Sequence, residues 1–186
     1  MEKTEILNLM KKLAADSIIV DYDKIPEIDL YMDQLTTFTE DKLKTYKRNE
    51  ADKILTKTMI NNYSKDKIIP PSTKKKYSKS HIALILMIFH LKNNMAINDI
   101  GRFFENYSTE SDLIEELYND FTAIQHIENQ RFEDEITKKL DLIEQINHGK
   151  DLPELAIMSL LIDANTKKRA AEKILDELLS RTEAKK

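Results

Sequence analysis

The chain has 186 residues, of which 41% are hydrophobic and 33% are charged, and its formal net charge is −4. It contains no cysteine, which excludes disulfides, thiolate metal sites and cysteine nucleophiles. With only 2 glycines it is also poorly suited to the many tight turns of a β-sandwich or barrel. We therefore expect an all-α protein, and we expect it in the cytoplasm because the first residues do not form a signal peptide.

Apolar spacing predicts a series of helices in the first hundred residues. A short amphipathic helix over residues 2–14 is followed by an extended link, and a second helix carries Leu30, Leu35, Phe38 and Leu43 on one side. Thr56 is expected to cap a short helix that ends at Tyr63. Ser78 is expected to cap an apolar helix over residues 79–92, and Asn98 to open another that ends at Phe104.

The most apolar stretch of the chain is the eight-residue block from Ile82 to Phe89. Such a block is too short to span a bilayer, and its length is that of a buried helix. The sequence therefore implies no membrane partner.

Apolar residues recur at helical spacing after Ser108, on one long helix or on two helices broken near Asn129. His148-Gly149 is a predicted stop, and Asp151 is expected to cap a last helix. The apolar stripe can pair two copies of the chain by coiled-coil packing. The alternative is packing within the chain, against residues 155–162 and 174–179. The residues assigned to the dimer interface are Leu113, Leu117, Phe121, Ile124, Phe132 and Ile136.

Charge is distributed unevenly along the chain. Residues 42–92 hold 13 basic and 3 acidic residues, whereas residues 1–41 hold 4 and 10, and residues 110–186 hold 11 and 18. A basic segment between acidic flanks indicates a local anion-binding surface. The alternative is that these lysines only solvate a helical face.

No pattern of an enzyme is present. The four histidines lack metal-ligand spacing, and the adjacent Glu133, Asp134 and Glu135 would point in different directions on a helix. Two isolated glycines cannot form a phosphate-binding loop. We therefore expect neither catalysis nor a cofactor.

The segment from Leu55 to Phe104 resembles the DNA-binding head of MerR-type regulators, a winged helix-turn-helix. Leu55 and Thr56 match its helix start, and "DKIIPP" replaces its glycine–leucine–leucine–proline turn. The stretch "KKKY" stands where its wing returns, and "SKSHIALILMIFHLKNNMAINDIGRFF" is similar to its two following helices. More closely, residues 25–105 are similar to a bacterial family of unknown function that carries this MerR-like domain.

Several side chains depart from the MerR pattern. Asn61 replaces an arginine that holds DNA, Asn62 replaces an aromatic residue, and Asp66-Lys67 replaces the turn glycine. The base contacts of the MerR family therefore cannot be transferred, although the apolar spacing is kept. On the predicted helix, Met59, Ile60 and Tyr63 point inward and the asparagines point outward, where Asn can pair with adenine in the major groove.

These observations predict a dimeric, sequence-specific transcription regulator that binds double-stranded DNA, with no effector specified. Residues 1–106 would form the DNA-binding domain and residues 107–186 a helical dimerisation or regulatory domain. The alternative is a protein-interaction or adaptor module that keeps the winged fold without DNA recognition. The predicted DNA contacts are Thr56, Lys57, Thr58, Asn61, Asn62, Lys65, Lys74, Lys75, Lys76 and Tyr77.

Overall fold

A computed structural model describes residues 1–105, 107, 111–146 and 151–183. These residues are mostly helical, which confirms the predicted class, and none of their helices is both long and apolar enough to cross a membrane. In chain order the elements are α1 (Lys3–Asp16), β1 (Leu30–Tyr31), α2 (Met32–Leu43), α3 (Lys57–Lys65), β2 (Lys76–Tyr77), α4 (Lys79–Leu91), α5 (Ile97–Phe104), α6 (Ser111–Ile146) and α7 (Leu152–Glu183), with 3-10 turns at Tyr22–Lys24 and Lys44–Tyr46.

The chain forms two compact units. One consists of Ile19–Ala123, and the other combines Met1–Ile18 with Ile124–Lys186. The predicted domain boundary between residues 106 and 107 lies beside Asn106, which is outside the described residues, and it stays a prediction.

Helix α4 is the centre of the unit Ile19–Ala123. Every residue from Ile82 to Ile88 is at most 1% exposed, and Phe89 is 8% exposed. This confirms the predicted buried helix. Ser78 is the N-cap residue as expected, and its backbone N–H donates to His81 Nδ1 at 3.2 Å. The core around α4 is closed by side chains from every other helix of the unit, among them Leu35, Leu43, Ile60, Ile100, Phe104 and Tyr118.

Besides Ser78, one further predicted helix cap in this unit is confirmed, and two other expectations are wrong. Thr56 caps α3 as predicted, because its Oγ1 accepts a hydrogen bond from the Met59 N–H at 3.1 Å. The prediction that Asn98 opens α5 is wrong, since Ala96 is the N-cap and Asn98 lies in the first turn. Leu30, expected on a helix, lies on β1 opposite Tyr77.

The second unit is built from α1, the later part of α6, and α7. Ile136, Leu140 and Ile143 of α6 are buried with Ile6 of α1 and Ala156 of α7. Helix α6 continues unbroken past Asn129, whose amide donates to the Ser17 carbonyl at 3.0 Å. The predicted helix start near Ser108 and the predicted stop at His148-Gly149 both lie outside the described residues.

Helix α3 ends on a residue with a strained backbone. Lys67 has φ 58°, a left-handed conformation that glycine adopts freely and lysine does not. The Ile68 N–H donates to the Tyr63 carbonyl at 2.8 Å, and the Lys67 N–H donates to the Ser64 carbonyl at 3.2 Å. These two bonds define a Schellman motif, in which the left-handed position is usually glycine.

We predict that Lys67→Gly stabilises the protein by about 1 kcal/mol, because glycine adopts the left-handed conformation without strain. Lys65→Gly is the matched control. Lys65 is the last residue of α3 and does not have a positive φ, so the same change there should destabilise the protein by up to roughly 0.5–1 kcal/mol. Urea unfolding followed by circular dichroism measures both changes. The assignment of strain to Lys67 fails if the two variants shift stability in the same direction.

A second local feature is a half-buried histidine at the end of α4. The His90 ring contacts aromatic neighbours, with ring centroids 4.8 Å from Tyr46, 5.1 Å from Phe89 and 5.9 Å from Phe121. Its Nε2 is buried and has no hydrogen-bond partner among the described residues. Desolvation disfavours the charged ring and lowers the pKa of His90 from 6.5 to about 4.

This shift predicts a pH dependence of folding. Below pH 6.5 the unfolded chain binds a proton that folded His90 does not accept until about pH 4. Above pH 6.5, His90 is neutral in both the folded and the unfolded chain and does not affect the free energy of unfolding. As the pH falls from 6.5 to about 4, the free energy of unfolding decreases by up to about 3 kcal/mol. Burial also lowers the pKa of His81, so the wild type is compared with His90→Phe, which keeps His81 and an aromatic ring at position 90. The variant should lose less stability between pH 7 and pH 4, and equal losses would show that His90 is not responsible.

Candidate nucleic-acid interface

The lysine run forms the tip of a small hairpin. The Thr73 N–H donates to the Lys76 carbonyl at 3.1 Å, and the Lys76 N–H donates to the Thr73 carbonyl at 2.9 Å. Between them, Lys74 has φ 52° and Lys75 has φ 63°. Two left-handed central residues are the mark of a type I′ turn. We call residues Thr73–Lys76 the lysine turn.

Lysine is an unfavourable residue for the centre of this turn. Type I′ turns strongly prefer Asn-Gly, because both central residues need positive φ. A left-handed residue other than glycine costs roughly 1–2 kcal/mol, so Lys74 and Lys75 together destabilise the turn by about 2–4 kcal/mol. Both side chains are exposed, so neither packs into the core in return. Strain that packing does not compensate is most often found at functional sites.

The lysine turn and the first turn of α3 meet at the junction of β1 and α2. Strand β2 pairs antiparallel with β1, and Lys76 lies opposite Tyr31 with its Nζ 5.0 Å from the Tyr31 ring centroid. Two residues further on, Asp33 forms an ion pair with Lys57 of α3. Lys57 of α3 and Lys76 of the lysine turn thus both contact the short segment Tyr31–Asp33.

The lysines of this surface differ in how freely they can meet an anion. The charge of Lys57 is already balanced by Asp33, and Lys76 is half-buried over Tyr31. Lys65, Lys74 and Lys75 are exposed, and no ion pair is found for them within the described part of the chain. The positive charge of this surface that has no acidic partner among the described residues therefore belongs to these three side chains.

The outward side of α3 carries the predicted polar contacts. Thr58, Asn61, Asn62 and Lys65 are exposed, and we call these four residues the outer face of α3. Ile60 is 0% and Tyr63 is 7% exposed, and Met59 is half-buried, so the inward positions are as predicted. Thr56 already uses its side-chain oxygen in the helix cap.

Tyr77, which was a predicted contact, is buried, whereas Tyr31, which was not predicted, is exposed. Tyr77 is 4% exposed and its ring packs against His81 in the core, so we do not include it among the surface residues. Tyr31, which the sequence did not point to, is 53% exposed beside the lysine turn. Only the pairing of β1 with β2, across more than forty residues of chain, brings it there.

Most of the residues that were assigned to a dimer interface pack against other residues of the same chain. Ile136 is 4% exposed, Phe132 packs on the same core, and Leu117 and Phe121 pack on the core of the unit Ile19–Ala123. Leu113 is half-buried and Ile124 is 58% exposed. Of the two alternatives for this stripe, packing within the chain accounts for most of its buried surface.

Together, fold and site define a mostly helical protein whose conspicuous surface is a strained lysine turn beside a short polar helix. The chain matches Domain of unknown function (DUF1836) over residues 20–121, more than half of its length, and it belongs to that family. No curated protein and no solved structure gives a significant match. The family match covers α2 to α5, the lysine turn and the start of α6.

Proposed function

We propose that the chain is a DNA-binding transcription regulator in which the lysine turn contacts phosphates and the outer face of α3 contacts bases. The observation that carries this proposal is the lysine turn itself. It holds two exposed ammonium groups, which have no ion pair among the described residues, in a backbone conformation that lysine disfavours. Contacts between lysine and phosphate give affinity and orientation without sequence information.

The order of elements supports a winged helix-turn-helix. A strand, two helices, a hairpin and a further helix follow one another, and the hairpin strand pairs with the strand that precedes the first helix. The resemblance to MerR-type heads rests on this order and on the apolar spacing. It does not extend to the side chains that read DNA, because Asn61 and Asn62 replace the expected arginine and aromatic residue.

Geometry allows α3 to act as the helix that enters the major groove. An α-helix with its side chains is about 10–12 Å in diameter, which fits a major groove about 12 Å wide, and the nine residues of α3 extend about 13 Å along the groove. Asn61 and Asn62 are exposed near the middle of α3, and an asparagine amide can make two hydrogen bonds to adenine. One such head covers few base pairs, so we propose a dimer on two half-sites about 34–36 Å apart.

A protein-interaction module is the second candidate, and one contact favours it. Asp33 neutralises Lys57 at the point where α3 would approach DNA, and its carboxylate is itself exposed on that surface. An acidic group facing phosphates weakens binding. The two candidates differ in their response to duplex DNA at low salt, which only the regulator should bind.

We predict that the double variant K74N/K75G binds duplex DNA more weakly and with a flatter salt dependence. Each phosphate contact contributes about 0.9 to the slope of log K against log salt, so the loss approaches 1.8 for each subunit. The substitution introduces the preferred Asn-Gly turn, and the fold should therefore become more stable. Fluorescence anisotropy with a mixed-sequence duplex across a salt series measures the slope.

The matched control for charge is K11Q/K12Q, which removes two exposed lysines from α1 in the other unit. This variant should keep most of the slope. An unchanged slope in K74N/K75G would place the lysine turn away from DNA. If the wild type does not bind the duplex even at low salt, the protein-interaction module is favoured.

We predict that N61A and N62A change sequence preference without changing the fold. A lost bidentate contact should reduce discrimination at one base pair by about 1–3 kcal/mol. Selection from a random duplex library, carried out with the wild type and each variant, measures this preference. T37A, on the exposed side of α2, is the control. A variant that selects the same sequences as the wild type identifies an asparagine that does not contact bases.

A further inference from the structure

A segment near the start of α7 is apolar on nearly all sides, yet little of it is buried. Residues 155–162 carry no charge, and Ala156 is the buried member of this segment. Ile157, Met158, Leu161 and Ile162 are 59%, 58%, 66% and 67% exposed. A helix that is apolar on every side is normally covered on every side. Part of the surface that should cover this segment is missing from the single chain.

Met158 and Ile162 form one face with the end of α6, whereas Ile157 and Leu161 lie next to them on the side of α7 that is turned away from α6. A groove of about 530 Å³ runs between the two helices, lined by Ile143, Ile146, Leu155, Met158 and Ile162. Helix α1 lies on a different side, where Ile6 and Met10 meet Leu140, Ala156 and Leu160. On the order of 300 Å² of apolar surface is presented by five side chains that are each more than half exposed, namely Ile146, Ile157, Met158, Leu161 and Ile162. That is the size of a large apolar patch on a monomer and the apolar centre of an interface.

Beside the groove, a stripe of α7 carries opposite charges at its two ends, at equal distances from its middle. Glu154, Ile157, Leu161, Ala164 and Lys168 follow one another at steps of three and four, which puts them on one side of the helix. All five are exposed. The stripe therefore begins with an acid, has Leu161 at its middle and ends with a base. Among the residues that the structure describes, the one ion pair of Lys168 is a long contact to Glu172 at 3.9 Å.

We propose that this stripe of α7 pairs antiparallel with the same stripe of a second copy of the chain. A two-fold axis at Leu161 then brings the two Leu161 side chains together and places each Glu154 opposite the partner copy's Lys168. A two-fold interface must be complementary to itself, and an acid and a base equidistant from the centre satisfy this condition. The inference does not rest on DNA binding, and either proposal can fail alone.

The first test is L161E, measured by sedimentation equilibrium on the full chain. The wild type should dimerise at tens of micromolar or below, and L161E should weaken dimerisation at least about tenfold, because two carboxylates would meet at the axis. Leu161 is 66% exposed in the single chain, so the fold should be unchanged. I174E is the control, since Ile174 is 70% exposed on the same helix but off the stripe. A monomeric wild type, or a dimer that L161E leaves intact, overturns the proposal.

The second test separates self-pairing from a different partner. E154K and K168E should each weaken the dimer by creating like charges across the axis, and the double variant E154K/K168E should recover most of the loss. Recovery is expected only when residues 154 and 168 of different copies face each other. If the double variant is as weak as the single ones or weaker, the antiparallel pairing is wrong. Thermal unfolding of each variant confirms that the helix is retained.

Discussion

Burial of α4 is the constraint on which the unit Ile19–Ala123 depends. This helix is apolar around its whole circumference, so it needs neighbours on every side, and α2, α3, α5 and the start of α6 provide them. Tyr77 of β2 lies two residues before α4 and is itself buried. Fixing α4 therefore fixes β2, and the short loop from Thr73 to Lys76 must project from the point where the core ends. The position of the lysine turn follows from the packing of residues behind it.

Lys67, Lys74 and Lys75 have left-handed backbone conformations, and all three lie within a stretch of nine residues. Their strain is tolerated because the intervening chain is anchored. Ile68 and Ile69 are 2% and 1% exposed, and Tyr77 closes the other end. At Lys67 the conformation completes the helix end, which is a structural role. The left-handed conformations of Lys74 and Lys75 place both side chains at the surface and not in the core, so a role at the surface is the better explanation of this strain.

Local features were predictable from the sequence, and features that join distant segments were not. The cap at Thr56, the inward side of α3 and the burial of α4 all depend on residues within a few positions of one another. The pairing of Tyr31 with Lys76 does not, so the sequence placed Tyr77 rather than Tyr31 at the surface. The apolar stripe of α6 raises a similar problem. Its periodicity shows that it is covered, but the partner could be α1 and α7 or another copy.

The segment of α7 from Leu155 to Ile162 and the lysine turn pose opposite physical problems. The α7 segment exposes apolar surface, which water disfavours, and added salt does not weaken the burial of such a surface against another apolar surface. The lysine turn exposes positive charge at a cost in backbone strain, and salt screens the attraction between this charge and an anion. The two surfaces belong to different compact units. An apolar contact that resists salt and a phosphate contact that salt abolishes can therefore coexist in one chain, so that a change of ionic strength should separate the proposed assembly from the proposed DNA binding.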